Sequence, residues 1–238
     1  MNLDSIHNSL ILVVEDDPDI QEILREYLER AGFRTVGVSD GNLAYVQSNV
    51  LKPDLILLDI KLPGMDGKEL LTKIREKTNI PIIMVTAIID DVDKLLTLKN
   101  GADDYIIKPF NPNEVVERVR AVLRRTRGVI HASEVLRIGN LEVDTEKHLV
   151  SVLSDGGNVP EILPLTPTEY CLLENMSKSP FKAFSRAELV EDCMPESDAY
   201  DRVIDSHLSN LRRKLKQMGG RDYIESVRGV GYRLCQIK

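Results

Sequence analysis

Four short apolar runs, each ended by a charged or hydroxyl-bearing residue, constrain this chain more than any other feature. LILVV (10–14) runs into Glu15, Asp16 and Asp17, and LILL (55–58) runs into Asp59. IIMV (82–85) is followed by Thr86, and YII (105–107) by Lys108. Apolar runs of this length, alternating with helical segments, read as buried parallel strands. After the first run, Ile20, Ile23, Leu24, Tyr27 and Leu28 fall at helical spacing and predict a helix over 18–31. RTVGV (34–38) predicts a second strand, and further helices are predicted at 41–51, 67–77, 91–100 and 112–125. The order βαβαβαβαβα implies α/β architecture: a five-stranded, doubly wound parallel sheet with helices on both faces.

Such sheets bind ligands outside the carboxyl ends of their strands. Four distant stretches therefore deliver carboxylates, a hydroxyl and an amine to one cleft. Glu15, Asp16 and Asp59 offer hard oxygen ligands that suit Mg2+. Lys108 and the cation would neutralise an incoming phosphoryl group, and Thr86 offers it a hydroxyl. Asp59, at the tip of an apolar strand, is the better nucleophile. Any single strand-end Asp is also an ordinary helix cap or turn residue, and the role of Asp17 is open.

The chain has 238 residues, a net charge of −7 and no apolar run approaching a membrane span. Its first residues carry neither the basic nor the apolar region of a secretory signal. Both points lead to the expectation of a cytoplasmic protein with no membrane partner. Cys171, Cys193 and Cys235 show no C-x-x-C spacing, and their odd number argues against a disulfide framework. They read as reduced and mostly buried. Charge is unevenly spread: nine basic residues face three acidic ones from Arg202 to Lys238, a net of +6, against a net of −9 over 128–201. A basic end on an acidic protein is a footprint of nucleic-acid binding.

After 125 the strand–helix alternation stops, and 126–135 reads as a linker. From 136 short β-like runs (LRIGNLEVD, LVSVLSD, EILPLT) precede helical patterns at about 167–178, 185–193 and 199–217. YIESVRGVGYRLC (223–235) reads as two strands around a glycine turn. On the last helix Ile204, Leu208, Leu211 and Leu215 form one stripe that must face a core. Arg202, Ser206, Ser209, Asn210, Arg213 and Gln217 then lie opposite, a mixture suited to a major groove or simply to solvent. Arg228 sits at the hairpin tip, placed to enter a minor groove.

Residues 10–125, with VVEDD, LLDIKLPGMDG, VTA and GADDYIIKPF, resemble the receiver domain of bacterial two-component response regulators. LTPTEYCLL, FSRAEL, RVIDSHLSNLRRKL and VRGVGYRL resemble the OmpR/PhoB effector domain. The resemblance implies a flavodoxin-like receiver at 1–125, a linker at 126–135 and an α+β winged helix-turn-helix DNA-binding domain at 136–238. It implies Asp59 as phosphoacceptor, Asp16 and Asp59 as direct Mg2+ ligands, Glu15 acting through water and Lys61 through its backbone carbonyl. It further implies Thr86 and Tyr105 as a switch pair, with Tyr105 turning inward, and a cis Lys108–Pro109 bond.

The same resemblance pairs Lys94 with Glu114, Asp104 with Arg118 and Asp103 with Arg125 across an activated homodimer. Read as plain sequence, those six are a solvated charged face. A sensor histidine kinase, promoter DNA and RNA polymerase (the last through the acidic loop 193–200) are the implied partners. The chain itself is not an enzyme, beyond weak autophosphorylation from small donors and autodephosphorylation. Ser209 and Asn210 stand where some relatives have two arginines, and Val203 where threonine is common, which implies a different base preference. IKLPGMDGKELLTKIR and SDAYDRVIDSHLSNLRRKL look most like regulators of drug-efflux and envelope-stress operons, with a link to antibiotic resistance.

Two other readings stay open. A hydrolase or phosphotransferase of the haloacid-dehalogenase type also uses a strand-end Asp, but needs an acid two residues on, where this chain has Lys61. A receiver that signals only through protein partners would not bind DNA in a salt-dependent way.

Overall fold

Three aspartates start the first three helices. In the computed structural model, which describes residues 6–87, 100–127, 135–153, 160–194, 202–219 and 222–235, Asp17 caps α1 (Pro18–Arg30) by accepting from the N–H groups of Asp19 and Ile20. Asp40 caps α2 (Gly41–Leu51) in the same way, and Asp66 caps α3 (Gly67–Arg75). A carboxylate at this position satisfies orphan amides and opposes the helix dipole. Asp17 thus has a structural task that separates it from Asp16.

These helices alternate with β1 (Leu10–Val14), β2 (Arg34–Val38), β3 (Leu55–Asp59), β4 (Ile82–Thr86) and β5 (Asp104–Ile107), followed by α4 (Pro112–Arg127). The sheet is parallel throughout, in the order β2-β1-β3-β4-β5. β3 and β4 are buried along their whole length, as their unbroken apolar sequence requires. Ile11, Val13, Leu55, Leu57, Ile83 and Val85 pack with Leu24 and Leu28 of α1 and with Val115, Val119 and Val122 of α4. The helix read over 91–100 lies outside the described residues.

α4 continues to Arg127, two residues into the stretch read as linker. The chain divides into two compact units, Met1–Arg124 and Arg125–Lys238. In the second, an antiparallel sheet runs in the order β6 (Val135–Ile138), β7 (Leu141–Asp144), β8 (Leu149–Val152), β9 (Glu161–Ile162). The run LRIGNLEVD, read as one β segment, is a hairpin, because Gly139 takes a φ of 62° and turns the chain between β6 and β7.

Helices α5 (Pro167–Lys178), α6 (Arg186–Cys193) and α7 (Arg202–Gly219) follow, then a hairpin of β10 (Ile224–Val227) and β11 (Gly231–Leu234). α5 and α6 open on reciprocal capping boxes, Thr166 with Glu169 and Ser185 with Glu188. The hairpin is tied to the chain before α6 by two backbone bonds between Phe184 and Tyr232, of 2.8 and 2.9 Å.

Gly67, the first residue of α3, packs against the tip of β3. A Cβ built there would sit 2.1 Å from the Asp59 carbonyl oxygen and 2.8 Å from Ile60 Cα. Gly67→Ala is expected to cost about 1–3 kcal/mol, the usual range for overpacking against atoms that cannot move aside. Urea unfolding of parent and variant measures the loss, and unchanged stability would show that the strand tip yields freely.

Candidate functional site: a carboxylate cleft and a basic helix with a hairpin

Adjacent strands β1 and β3 bring Glu15 and Asp59 side by side at the carboxyl edge of the sheet. Both side chains are buried, while Asp16 is exposed. One carboxylate oxygen from each of Glu15, Asp16 and Asp59 lies within 4.8 Å of the other two. From the edge strand, Lys108 reaches across to both buried acids. Its Nζ lies 2.7 Å from Asp59 Oδ2 and 2.7 and 2.8 Å from the two Glu15 oxygens. The other Asp59 oxygen accepts from the backbone N–H of Ile60 at 2.6 Å and of Lys61 at 3.3 Å. Those bonds leave the carboxylate fixed at the strand tip with its Oδ2 toward the cleft. The Gln21 amide donates to the Glu15 carbonyl at 2.8 Å and steadies the first strand end.

The charges are strained. Burial, with the Asp59 charge adding to it, pushes the Glu15 carboxyl up to about 7 against the pull of Lys108. Burial also disfavours the Lys108 ammonium, but its two carboxylate partners outweigh this and raise it above the ordinary lysine value. Three carboxylates converging with a deficit of positive charge fit a hard divalent cation. Glu15, Asp16 and Asp59 are the side chains that would hold it. The contacts described for Lys61 run through its N–H, and its side chain is exposed.

Thr86 is buried at the tip of β4, and its carbonyl accepts from the Lys108 N–H at 2.7 Å. The Lys108–Pro109 bond is cis. Tyr105 is already covered, at 6% exposure, so a switch at this residue starts from a buried ring. Beside Lys108 opens a cavity of about 430 Å³ lined by Ile20, Ile23, Pro109, Phe110 and Pro112.

Asp103, Asp104 and Arg118 are buried rather than part of a solvated face. Asp103 is fully buried, and its Oδ2 accepts from Arg75 Nη2 and from the Ile82 N–H, both at 3.0 Å. Arg75 also donates to the carbonyls of Gly101 and Ile80. Asp104 is buried and pairs with Arg118, itself buried, while Arg118 also donates twice to the exposed Glu114. The local sequence looks like surface; the covering is supplied by elements far along the chain. Arg75 was not anticipated, and only the chain topology reveals it. Lys94 lies outside the described residues, and Arg125 donates to the Thr168 hydroxyl at 3.2 Å.

In the second unit, Ile204, Leu208, Leu211 and Leu215 are buried as their stripe requires. The buried arc is wider than that stripe in the first half of α7, where Val203, Ser206 (2% exposed), His207 and Asn210 (7%) are also covered. Ser206 and Asn210 therefore do not share the open face, which carries Ser209, Arg213, Lys216 and Gln217. The side chain of Arg202 and the loop 195–200 lie outside the described residues. Arg228 is exposed at the hairpin tip beside Gly229, whose φ of 76° favours glycine.

Helix and hairpin are clasped together. Arg212 donates to the Ile224 carbonyl and the Ser226 hydroxyl, and lies 5.1 Å over the Tyr232 ring. Arg186 lies 5.2 Å over the same ring. The Tyr232 hydroxyl donates to Asp205, which Arg186 also meets.

Comparison with known proteins gives both halves a counterpart. The family described as response regulator receiver domain matches residues 11–120, and that described as transcriptional regulatory protein, C terminal, matches 160–234. The chain is 42% identical over 227 residues to the transcriptional regulatory protein BaeR of Escherichia coli O6:H1, covering 94% of this chain and 91% of that protein. It is 40% identical to the DNA-binding response regulator MtrA of Mycolicibacterium smegmatis, covering 94% and 95%. A solved structure of a RitR mutant superposes with a TM-score of 0.73 at 27% identity, over 96% of this chain and all of that one. Among the described residues no helix is long and apolar enough to cross a membrane.

The strained carboxyl sets a pH dependence. Glu15 binds its proton more tightly in the folded chain than at its ordinary value of 4.5. The folded state then holds more protons than the unfolded one between 4.5 and about 7, so metal-free stability falls as pH rises through that window. Glu15→Gln should remove this fall, measured by urea unfolding in EDTA from pH 4 to 8. Identical pH profiles for parent and variant would refute a strained carboxylate.

Proposed function

Because this chain belongs to the OmpR/PhoB-type two-component response regulators, we propose that it carries a signal from a phosphoryl group on Asp59 to promoter DNA. Its relatives are transcriptional response regulators rather than enzymes, and the two matched families imply a histidine kinase partner and DNA binding. The observation that carries the proposal is the contact of Lys108 with both Asp59 and Glu15, beside a third carboxylate, at the ends of three strands.

Asp59 Oδ2 attacks the phosphorus of the donor, and the donor's leaving group departs with the bonding pair. The product is an acyl phosphate on the strand tip. Lys108 stands where it can hold a phosphoryl oxygen in exchange for its carboxylate contact. Mg2+ bound by Glu15, Asp16 and Asp59 would neutralise the charge that develops on the transferring group. The apolar hollow formed by Ile20, Ile23, Pro109, Phe110 and Pro112 lies beside this site, a surface on which the kinase domain carrying the phosphohistidine would seat.

The added charge of about −1.5 to −2 alters the strand edge at Thr86 and Tyr105. Activation then pairs two receivers through the face carrying Lys94, Asp103, Asp104, Glu114, Arg118 and Arg125. Asp103 must exchange Arg75 for Arg125 of the second copy, and Asp104–Arg118 must exchange partners likewise.

The second unit acts as a winged helix. α7 enters the major groove with Ser209 and Arg213 foremost, and Arg228 on the wing reaches the minor groove. Arg202, at the first position of α7, adds a contact, whereas the covered Ser206 and Asn210 support the helix from its inner side. RNA polymerase meets the acidic loop before α7. The targets we favour are efflux-pump and envelope-stress operons, on the likeness of the motifs around Asp59 and α7, in a protein that works in the cytoplasm.

Acetyl phosphate with Mg2+ should add one phosphoryl group to the parent protein, read by intact mass, and none to Asp59→Asn. Equal labelling of the variant would move the acceptor elsewhere. Arg213→Ala should weaken promoter binding on all sequences alike and reduce the slope of log K against log salt by about 1, as loss of one phosphate contact requires. A change confined to one operator position would assign Arg213 to base reading instead.

A further inference from the structure

The effector unit brings together two thiols that lie far apart in sequence. Cys171 is in the first half of α5, and Cys193 is the last residue of α6. The Cys171 Sγ lies 3.9 Å from the carbonyl oxygen of Asp192, the residue before Cys193, which brings the two thiols near enough for each to shift the other's ionisation. The helices are held at this crossing by Asn175, whose amide donates to Asp192 Oδ2 at 2.8 Å. Cys193 is fully buried, whereas Cys171 is partly open to solvent. One member of the pair is thus reachable and the other is kept behind it.

We propose that Cys171 and Cys193 form a two-electron redox site that closes an intramolecular disulfide between α5 and α6 when the protein meets a peroxide. The order of events follows from exposure. The Cys171 thiolate attacks one peroxide oxygen, the O–O bond breaks, and hydroxide leaves, giving a sulfenic acid on Cys171. The Cys193 sulfur then attacks the Cys171 sulfur. The S–O bond breaks, the Cys193 proton accompanies the departing hydroxyl as water, and the S–S bond forms. In sum two thiols and one peroxide yield one disulfide and two waters, with both electrons coming from the sulfurs.

The electrostatics agree with these roles. The neighbouring Cys193 thiol holds Cys171 below the ordinary thiol range, and the same interaction raises Cys193. Cys235, at the end of β11, is pushed up chiefly by burial, which leaves it the slower thiol. A protein disulfide needs a sulfur separation of about 2.05 Å. Cys193 lies in a terminal turn, where backbone hydrogen bonding is incomplete and the chain can adjust to bring the sulfurs to that distance. Closure would pin the end of α6, immediately before the segment that leads into α7. The effector unit would then have an oxidant-sensitive site separate from the carboxylate cleft.

The test uses the full chain, reduced, titrated with hydrogen peroxide, quenched with an alkylating reagent and mapped as non-reduced peptides by mass spectrometry. The expected result is a peptide linking Cys171 to Cys193, the loss of those two alkylatable thiols while Cys235 persists, and full recovery in dithiothreitol. In Cys171→Ser, Cys193 should stay alkylatable at the same peroxide concentration. Because the linked peptide is read in the parent protein, the conclusion does not depend on the variant folding. Three persistently free thiols would overturn the proposal, as would separate sulfinic acids on Cys171 and Cys193 or a link through Cys235.

Discussion

One ammonium group holds the first unit's functional edge together. Lys108 comes from β5 at the border of the sheet, whereas Asp59 ends β3, with β4 between them, and Glu15 ends β1 beyond. Only a long side chain spans that separation, and its cation offsets part of the repulsion between the two buried carboxylates. The alternation of strands and helices exists, in this sense, to bring three strand tips within reach of one another. The apolar core supplies the stability, and the edge stores unfavourable charge.

Much of this was legible because a strand that ends in a charged residue at the carboxyl edge of a parallel sheet is a local signal with a global meaning. LILVV-Glu-Asp and LILL-Asp place Glu15 and Asp59 once the strands are adjacent, and adjacency follows from the reversal of strand order at β1 in a doubly wound sheet. The distinction between Asp16 and Asp17 was not legible. Consecutive acids carry the same local signal, and only backbone geometry decides which one caps α1. The helices at 18–30, 41–51 and 167–178 match their predicted spans within a residue, because apolar spacing and capping residues agree there.

Pairings across long sequence separations escaped the sequence. Asp103 and Asp104 stand in a polar stretch that reads as surface, yet Arg75, 28 residues earlier, closes over Asp103. Cys171 and Cys193 show no motif spacing, since two helices and the turn between them set their distance. Likewise the apolar stripe on α7 correctly marks its core face but underestimates the buried arc, because Ser206 and Asn210 are small or polar and carry no hydrophobic signal. In each case the missing information is which elements become neighbours.

The clasp of Arg212 and Tyr232 bears on how the second unit measures length. Arg212 bonds two positions of β10 and lies on the ring of β11, so α7 and the hairpin cannot slide past one another without losing all three contacts. The gap between the open face of α7 and Arg228 is therefore a fixed span, a caliper rather than a pair of independent fingers. A binding site gauged by such a caliper is defined by the spacing of its parts as much as by their letters. In the proposed binding mode, inserting a single base pair between the stretches met by the helix and the hairpin would weaken recognition even with every contacted base intact.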